Sequence, residues 1–273
     1  MGNTFFIMGI KIELKRQIKL RLERIKNWYN YHFNTLAIMQ RKGDKDIPVL
    51  INNYNQLDNL KNLVKWLEKR DFKKIIILDN KSSYPPLIEW YKQSPHEIIF
   101  LDENLGHNAL WASQELLKKY IHGYFILTDP DILPSDECPP DFLNKLIALL
   151  YRNPHVTKAG FALQIDDLPD HYIQKEKVIN WESKFWNNAL GKDVHLAYID
   201  TTFALYRPNH NHKRKFFDGI RLSGKYTSKH TSWYWDYNKL TPEQKYYISL
   251  PNYSSQWTLK NLNKEDNIAA SEI

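Results

Sequence analysis

An α/β fold with a mostly parallel central sheet flanked by helices is what this sequence predicts, and three observations carry that prediction. From residue 47 onward, short β-branched and aliphatic runs alternate with longer segments of helical periodicity. Each of the early runs leads into Asn or Asp within two residues, the polar chemistry that open α/β sheets gather at the carboxyl ends of their strands. With 42% hydrophobic and 14% aromatic content, a chain of 273 residues can also cover both faces of such a sheet.

The elements follow in chain order. Residues 1–46 form an N-terminal extension in which residues 11–40 read as a long basic helix. Ile12, Leu14, Ile18, Leu22, Ile25, Trp28 and Tyr29 make an apolar stripe among many Lys and Arg residues. Such a helix either lies on an anionic membrane surface or packs on its own domain with its charges in water. The polar run at residues 41–46 reads as a linker. Residues 47–52 suit a first strand, 56–70 a helix and 74–78 a second strand. A helix over 82–93 is entered through Pro85 and Pro86, and 97–101 is the third strand. A helix over 109–120 then leads to the fourth strand at 124–127. The second half adds a helix over 141–151 and strands at 159–164 and 203–206, and residues 261–273 are polar enough to fray.

The fourth strand runs into Thr128-Asp-Pro-Asp-Ile132. Pro130 fixes its own φ and pushes Asp129 towards extended backbone, so Asp129 and Asp131 project from a stiff turn. Hard oxygen donors in such a place suit Mg²⁺ or Mn²⁺, which keep water and ligand phosphates in the rest of the shell; the same residues also suit a plain solvated turn. The other strand ends hold Asn53 and Tyr54, then Asp79 and Asn80, then Asn104, Gly106 and His107. An aromatic ring such as Tyr54 can stack on a base, and Gly106 permits close backbone approach to a ligand, with the helix behind it turning its amino end to phosphates.

A formal charge of +7 favours anionic partners: nucleotide phosphates, anionic lipid or nucleic acid. One cysteine, Cys138, excludes an intramolecular disulfide framework and a cysteine-based zinc cluster, and suits a reducing compartment. No apolar run approaches the roughly 20 residues that span a bilayer. Phe5, Phe6, Ile7 and Met8 make too short a run, without a basic flank or cleavage site. A soluble cytoplasmic chain is therefore expected, with peripheral membrane contact through the basic helix as its link to lipid.

Four pieces, Val49-Leu-Ile-Asn-Asn-Tyr-Asn-Gln56, Ile75-Ile-Ile-Leu-Asp-Asn-Lys-Ser82, Glu103-Asn-Leu-Gly-His-Asn108 and Thr128-Asp-Pro-Asp-Ile132, taken in that order, resemble the nucleotide-sugar-binding half of the GT-A glycosyltransferases, particularly the family 2 type. The resemblance implies a Rossmann-like GT-A domain over residues 47–260, in which 47–134 bind the nucleotide sugar and 135–260 build the acceptor site. By that resemblance Tyr54 lies against the nucleobase and Asp79 with Asn80 reads its edge, while Asn53, Asn104, Gly106 and His107 line the same donor site. The family often has a second Asp at Asn80; an amide carbonyl can still accept from a uracil imide, which keeps a UDP-sugar among the donors. Asp129 lies nearest the ribose and also serves as a metal ligand, Asp131 binds the metal that bridges the phosphates, and His230 adds a further metal ligand.

An inverting transfer needs a carboxylate to take the acceptor's proton. Asp200, in Tyr198-Ile-Asp-Thr-Thr202, resembles the acidic motif that closes the GT-A pocket, and Glu182, among Trp181, Phe185 and Trp186, is the alternative. A strand-edge position is easier to hold rigid, which favours Asp200. The basic segment at residues 210–215 suits a cover over the diphosphate, and Trp233, Tyr234, Trp235 and Tyr237 suit either sugar stacking or core packing. The expected function is metal-dependent transfer of a sugar from a nucleotide donor to a hydroxyl of a glycan or lipid-linked acceptor, as in surface polysaccharide synthesis. Two other readings stand beside it. A sugar-phosphate nucleotidyltransferase usually carries a glycine- and basic-rich loop after its first strand, whereas residues 52–59 contain neither Gly nor Arg. A nucleic-acid-binding protein would suit the basic charge, but much of that charge sits in the first 46 residues and acids gather at the strand ends, so no nucleic acid partner is expected.

Overall fold

A nine-stranded sheet runs through the computed structural model, which describes residues 2–43, 46–199, 203–210 and 219–250. In chain order the strands of its first half are β1 (Val49–Asn53), β2 (Ile75–Asp79), β3 (Glu97–Phe100) and β4 (Phe125–Thr128). They are followed by β5 (Ile132–Pro134), β6 (Lys158–Phe161), β7 (Ala189–Gly191), β8 (Val194–Ala197), β9 (Ala204–Tyr206), β10 (Gly219–Leu222) and β11 (Ser228–His230). The helices are α1 (Gly2–Phe33), α2 (Thr35–Lys42), α3 (Asp58–Glu68), α4 (Pro85–Gln93), α5 (Ala109–Ala112) and α6 (Gln114–Tyr120). Then come α7 (Phe142–Arg152), α8 (Lys175–Glu182) and α9 (Pro242–Ser249).

The large sheet has the order β3-β2-β1-β4-β9-β6-β10-β8-β7. Its first four strands are parallel, while β9 runs antiparallel to both β4 and β6. Strands β5 and β11 stand apart as a two-stranded antiparallel ribbon. The period of two along each strand sorts the core. Val49, Ile51, Ile75 and Ile77 share one core with α3 and α7, and Leu50, Ile76 and Leu78 share another with Leu110, Trp111 and Leu116. Covering both faces is why these strands read as unbroken apolar runs.

Two segments that the periodicity draws as single helices are broken. Asn34 takes extended backbone (φ −73°, ψ 107°) and its side chain accepts from Ala37 N at 2.9 Å, so the stretch over 11–40 divides into α1 and α2. Ser113 does the same over 109–120, at φ −96° and ψ 111°, with its hydroxyl accepting from Leu116 N at 3.2 Å. In both places a short polar side chain outcompetes the helical carbonyl for a backbone N–H, which periodicity cannot register.

The extension is docked onto the domain. Gln40, on α2, exchanges two hydrogen bonds with the backbone of Tyr124 (2.8 and 2.7 Å), and Asn27 and Asn30, on α1, donate to the carbonyls of Pro154 and Pro208. Residues 41 and 42, drawn above as linker, complete α2.

Gly160, in β6, lies so close to β9 that a β-carbon there would sit 2.6 Å from the Phe203 carbonyl oxygen and 2.8 Å from Ala204 Cβ. Both neighbours are fixed in the middle of the sheet. Gly160→Ala is expected to destabilise the protein by about 1–3 kcal/mol through overpacking. The measurement is the thermal midpoint, which falls roughly 2–4 °C per kcal/mol in a chain of this size. An unchanged midpoint would show that β6 and β9 separate at no cost.

Candidate active site

Strand register brings the polar loop residues together. Asn53 pairs with Asp79, and Ile51 with Thr128, so the residues that follow β1, β2 and β4 emerge along one edge of the sheet. Asn52 ties them. Its Nδ2 donates to the Gly106 carbonyl at 2.9 Å and reaches Asp129 Oδ1 at 3.4 Å, while its Oδ1 accepts from the Asn80 amide. Asn80 Oδ1 in turn accepts from Leu105 N at 3.1 Å, and Asn104 Oδ1 from Gly106 N at 2.9 Å. Sequence reasoning passed over Asn52 as a site residue; the available signal was a pair of adjacent amides, Asn52 and Asn53, at a strand end.

Three successive loops on this edge each contain one residue in left-handed backbone: Asn55 (φ 54°), Lys81 (φ 60°) and Gly106 (φ 56°). Two of them carry side chains, and residues forced into this region concentrate where a loop is shaped for a ligand. Asn55 is held there because its Oδ1 accepts from Ser83 N (2.7 Å) and Tyr84 N (2.8 Å), and its own N–H donates to Ser82 Oγ (2.8 Å).

Asp79 is buried, with Oδ2 accepting from Ser82 N at 2.9 Å and Oδ1 from the Tyr91 hydroxyl at 2.8 Å. Tyr91 arrives on α4 and itself accepts from Asn53 Nδ2 at 2.7 Å. Burial, reinforced by the Asp79 charge, pushes the Tyr91 hydroxyl far above its ordinary value, so it stays a donor. Asn53 Oδ1 is buried with no hydrogen-bond partner. That orphaned acceptor, on the edge where the loops converge, is a group a ligand can satisfy.

Tyr54 is half-buried, its ring centroid 6.4 Å from that of Tyr247 on α9 at an interplanar angle of 62°. Nothing in the sequence reading identified α9. It is anchored by Glu243, whose carboxylate accepts from Leu57 N and Asp58 N at 3.0 Å. Leu57 cannot cap α3 with its own side chain, and Glu243 does so from a distant part of the chain. Burial lifts the Glu243 carboxyl above its usual range, and the neighbouring Asp58 adds to the effect.

The β5–β11 ribbon pairs Ile132 with His230 and so returns the imidazole to the Asp-Pro-Asp turn. His230 Nδ1 stands 3.5 Å from Asp131 Oδ2 and 2.7 Å from Ser232 Oγ, and its ring stacks on Trp233 at 4.6 Å and 7°. Thr231 N donates to the Asp131 carbonyl at 2.8 Å, which locks the two segments. Among the described residues no group of three His, Cys, Asp or Glu side chains is arranged to hold a metal. A carboxylate and an imidazole at this spacing, with Asp129 two residues away, nevertheless fit Mg²⁺ or Mn²⁺, which bind through few protein donors and complete their shell with phosphate oxygens and water.

Other expected residues are placed differently. Asp200 lies outside the described residues, as do residues 211–215 of the basic segment. Glu182 is buried in an ion pair with Arg221 (2.5 Å), and Arg221 Nε donates to the Tyr198 carbonyl at 2.6 Å. The pair thus anchors the chain just before position 200. His107 is exposed on a single turn, Gly106–Asn108, and α5 behind it is four residues long, which corrects the expectation of a long helix turning its amino end to phosphates. Trp233 and Trp235 are buried and build core, whereas Trp181 stays exposed. The Tyr234 hydroxyl donates to Asp167, and Lys229 Nζ stands 2.5 Å from the same carboxylate. Partial burial raises the Asp167 carboxyl, but Lys229 and Tyr234 outweigh it and hold the group below its ordinary range.

A family model described as Glycosyl transferase family 2 matches residues 49–214, more than half of the chain. That span takes in the loops after β1 to β4 and the Asp-Pro-Asp turn. No curated protein matches the chain.

Proposed function

Because the chain belongs to glycosyl transferase family 2, a glycosyltransferase family that takes a sugar from a nucleotide donor to an acceptor, we propose that it does so with a divalent cation, by inverting displacement at the sugar's anomeric carbon. The observation that carries this reading is the return of His230 to Asp131 across the β5–β11 ribbon, beside the edge where Asn52, Asn80 and Asp129 meet.

Asp131 and His230 hold the cation, Mn²⁺ or Mg²⁺, together with the donor's diphosphate. Bound there, the ion supplies charge neutralisation for the departing nucleoside diphosphate. The protein's own groups do the rest. Tyr54, backed by Tyr247, packs on the nucleobase, and Asn53 Oδ1, Asp79 and Asn80 offer acceptors to its edge, a set that suits a uracil N–H. Asp129, steadied by Asn52, faces the ribose. Asp200 takes the proton of the attacking hydroxyl on a glycan or lipid-linked acceptor, as surface polysaccharide synthesis requires.

A thermal-shift series with nucleotide sugars tests this directly. One nucleoside diphosphate class is expected to stabilise the protein in the presence of Mn²⁺, by about 2.7 kcal/mol when ligand reaches a hundred times its dissociation constant. Chelation should remove the shift. If no nucleotide sugar moves the midpoint with either metal, the donor site described above is wrong.

A further inference from the structure

Helix α1 turns opposite sides to the protein and to solvent. Asn27 Nδ2 donates to Pro154 O at 2.6 Å, Asn30 is buried with Nδ2 reaching Pro208 O at 3.3 Å, and the Tyr31 ring lies 4.2 Å from that of Tyr151. At 3.6 residues per turn these three define one side. On the side directly opposite stand Leu14, Ile18, Leu22, Ile25, Tyr29 and Phe33, each between 50% and 64% exposed. A continuous apolar row of this kind is unusual on a surface that meets only water.

The charges bordering the row are all of one sign. On the helical wheel Arg21 lies along one margin and Lys15 and Lys19 along the other, whereas Glu13 and Glu23 fall on the side turned to the domain. A second copy of this chain seated on the row would set Lys15, Lys19 and Arg21 against like charges, with no glutamate on the margin to pair them. An anionic lipid surface meets the same pattern favourably: apolar side chains enter the acyl boundary while the flanking cations meet headgroups. No described helix is long and apolar enough to cross a membrane.

We propose that the outward face of α1, from Leu14 to Phe33, is a membrane-surface docking site for anionic phospholipid. Gln40 grips the start of β4 and Asn30 meets Pro208 just after antiparallel β9, so α1 and α2 sit at the end of the sheet away from Asp129. Docking there leaves the carboxyl edge open. The proposal is independent of the reaction assigned above.

Flotation of the full chain with phosphatidylcholine vesicles, with and without phosphatidylglycerol, tests it. Binding is expected only on the anionic vesicles and is expected to weaken as salt screens the flanking charges. Lys15→Gln/Lys19→Gln/Arg21→Gln should cut anionic-vesicle partitioning roughly a hundredfold, at about a fivefold loss per charge. Ile18→Glu/Leu22→Glu should abolish it while leaving the thermal midpoint and nucleotide-sugar stabilisation as in the parent. Equal partitioning onto neutral and anionic vesicles would overturn the proposal, as would no partitioning at all. A dimer formed without lipid and dissociated by Ile18→Glu/Leu22→Glu would make the occupant a second copy, which overturns it too.

Discussion

Asp131→Ala should abolish both sugar transfer and the Mn²⁺-dependent stabilisation by a nucleotide sugar, while the fold persists. The carboxylate is buried and 3.5 Å from His230 Nδ1, and the backbone of the same residue accepts from Thr231 N at 2.8 Å. Removing the side chain leaves that backbone bond, and with it the β5–β11 ribbon, in place. What goes is the anionic donor for a cation expected to contribute several kcal/mol of charge stabilisation as the diphosphate departs. That is roughly a thousandfold or more in rate. Donor titrations with and without Mn²⁺, run beside the transfer assay, separate this from a folding defect. A variant that keeps the metal-dependent shift would remove Asp131 from the metal site.

Asp200→Asn is expected to retain donor binding and to lose transfer by about 10²–10⁴-fold, the usual contribution of a positioned general base. An amide has the shape of the carboxylate but cannot accept the acceptor's proton. Glu182 provides the contrast. Its partner Arg221 is buried, and the pair steadies Tyr198, two residues before Asp200. Glu182→Ala would leave an uncompensated buried guanidinium, at a cost of about 3–5 kcal/mol. Its signature is therefore a lower thermal midpoint, with transfer per folded molecule falling less than in Asp200→Asn. Near-normal turnover in Asp200→Asn would move the base elsewhere.

These two variants also mark how far local pattern reaches. The alternation of apolar runs and helical periodicity was enough for the α/β class, and the ordered strand-end motifs were enough for the family, because both are statements about neighbours in sequence. Helix ends were harder: Asn34 and Ser113 break two periodic segments by capping, a competition between one side chain and one carbonyl that an averaged pattern conceals. For another reason, Asn52 reads in sequence as only one polar residue at a strand end. Its importance lies in touching Asn80, Gly106 and Asp129, which come from three other loops.

By itself, then, the sequence determined the layered architecture, the edge of the sheet where polar residues gather, and the family, since period, strand order and loop composition are all local quantities. Only the tertiary structure decided that His230 meets Asp131, that Glu243 caps α3 and brings Tyr247 to Tyr54, and that Glu182 is held by Arg221. Each of those contacts joins residues far apart along the chain, and nothing in local propensity sets such a distance; strand register and packing do.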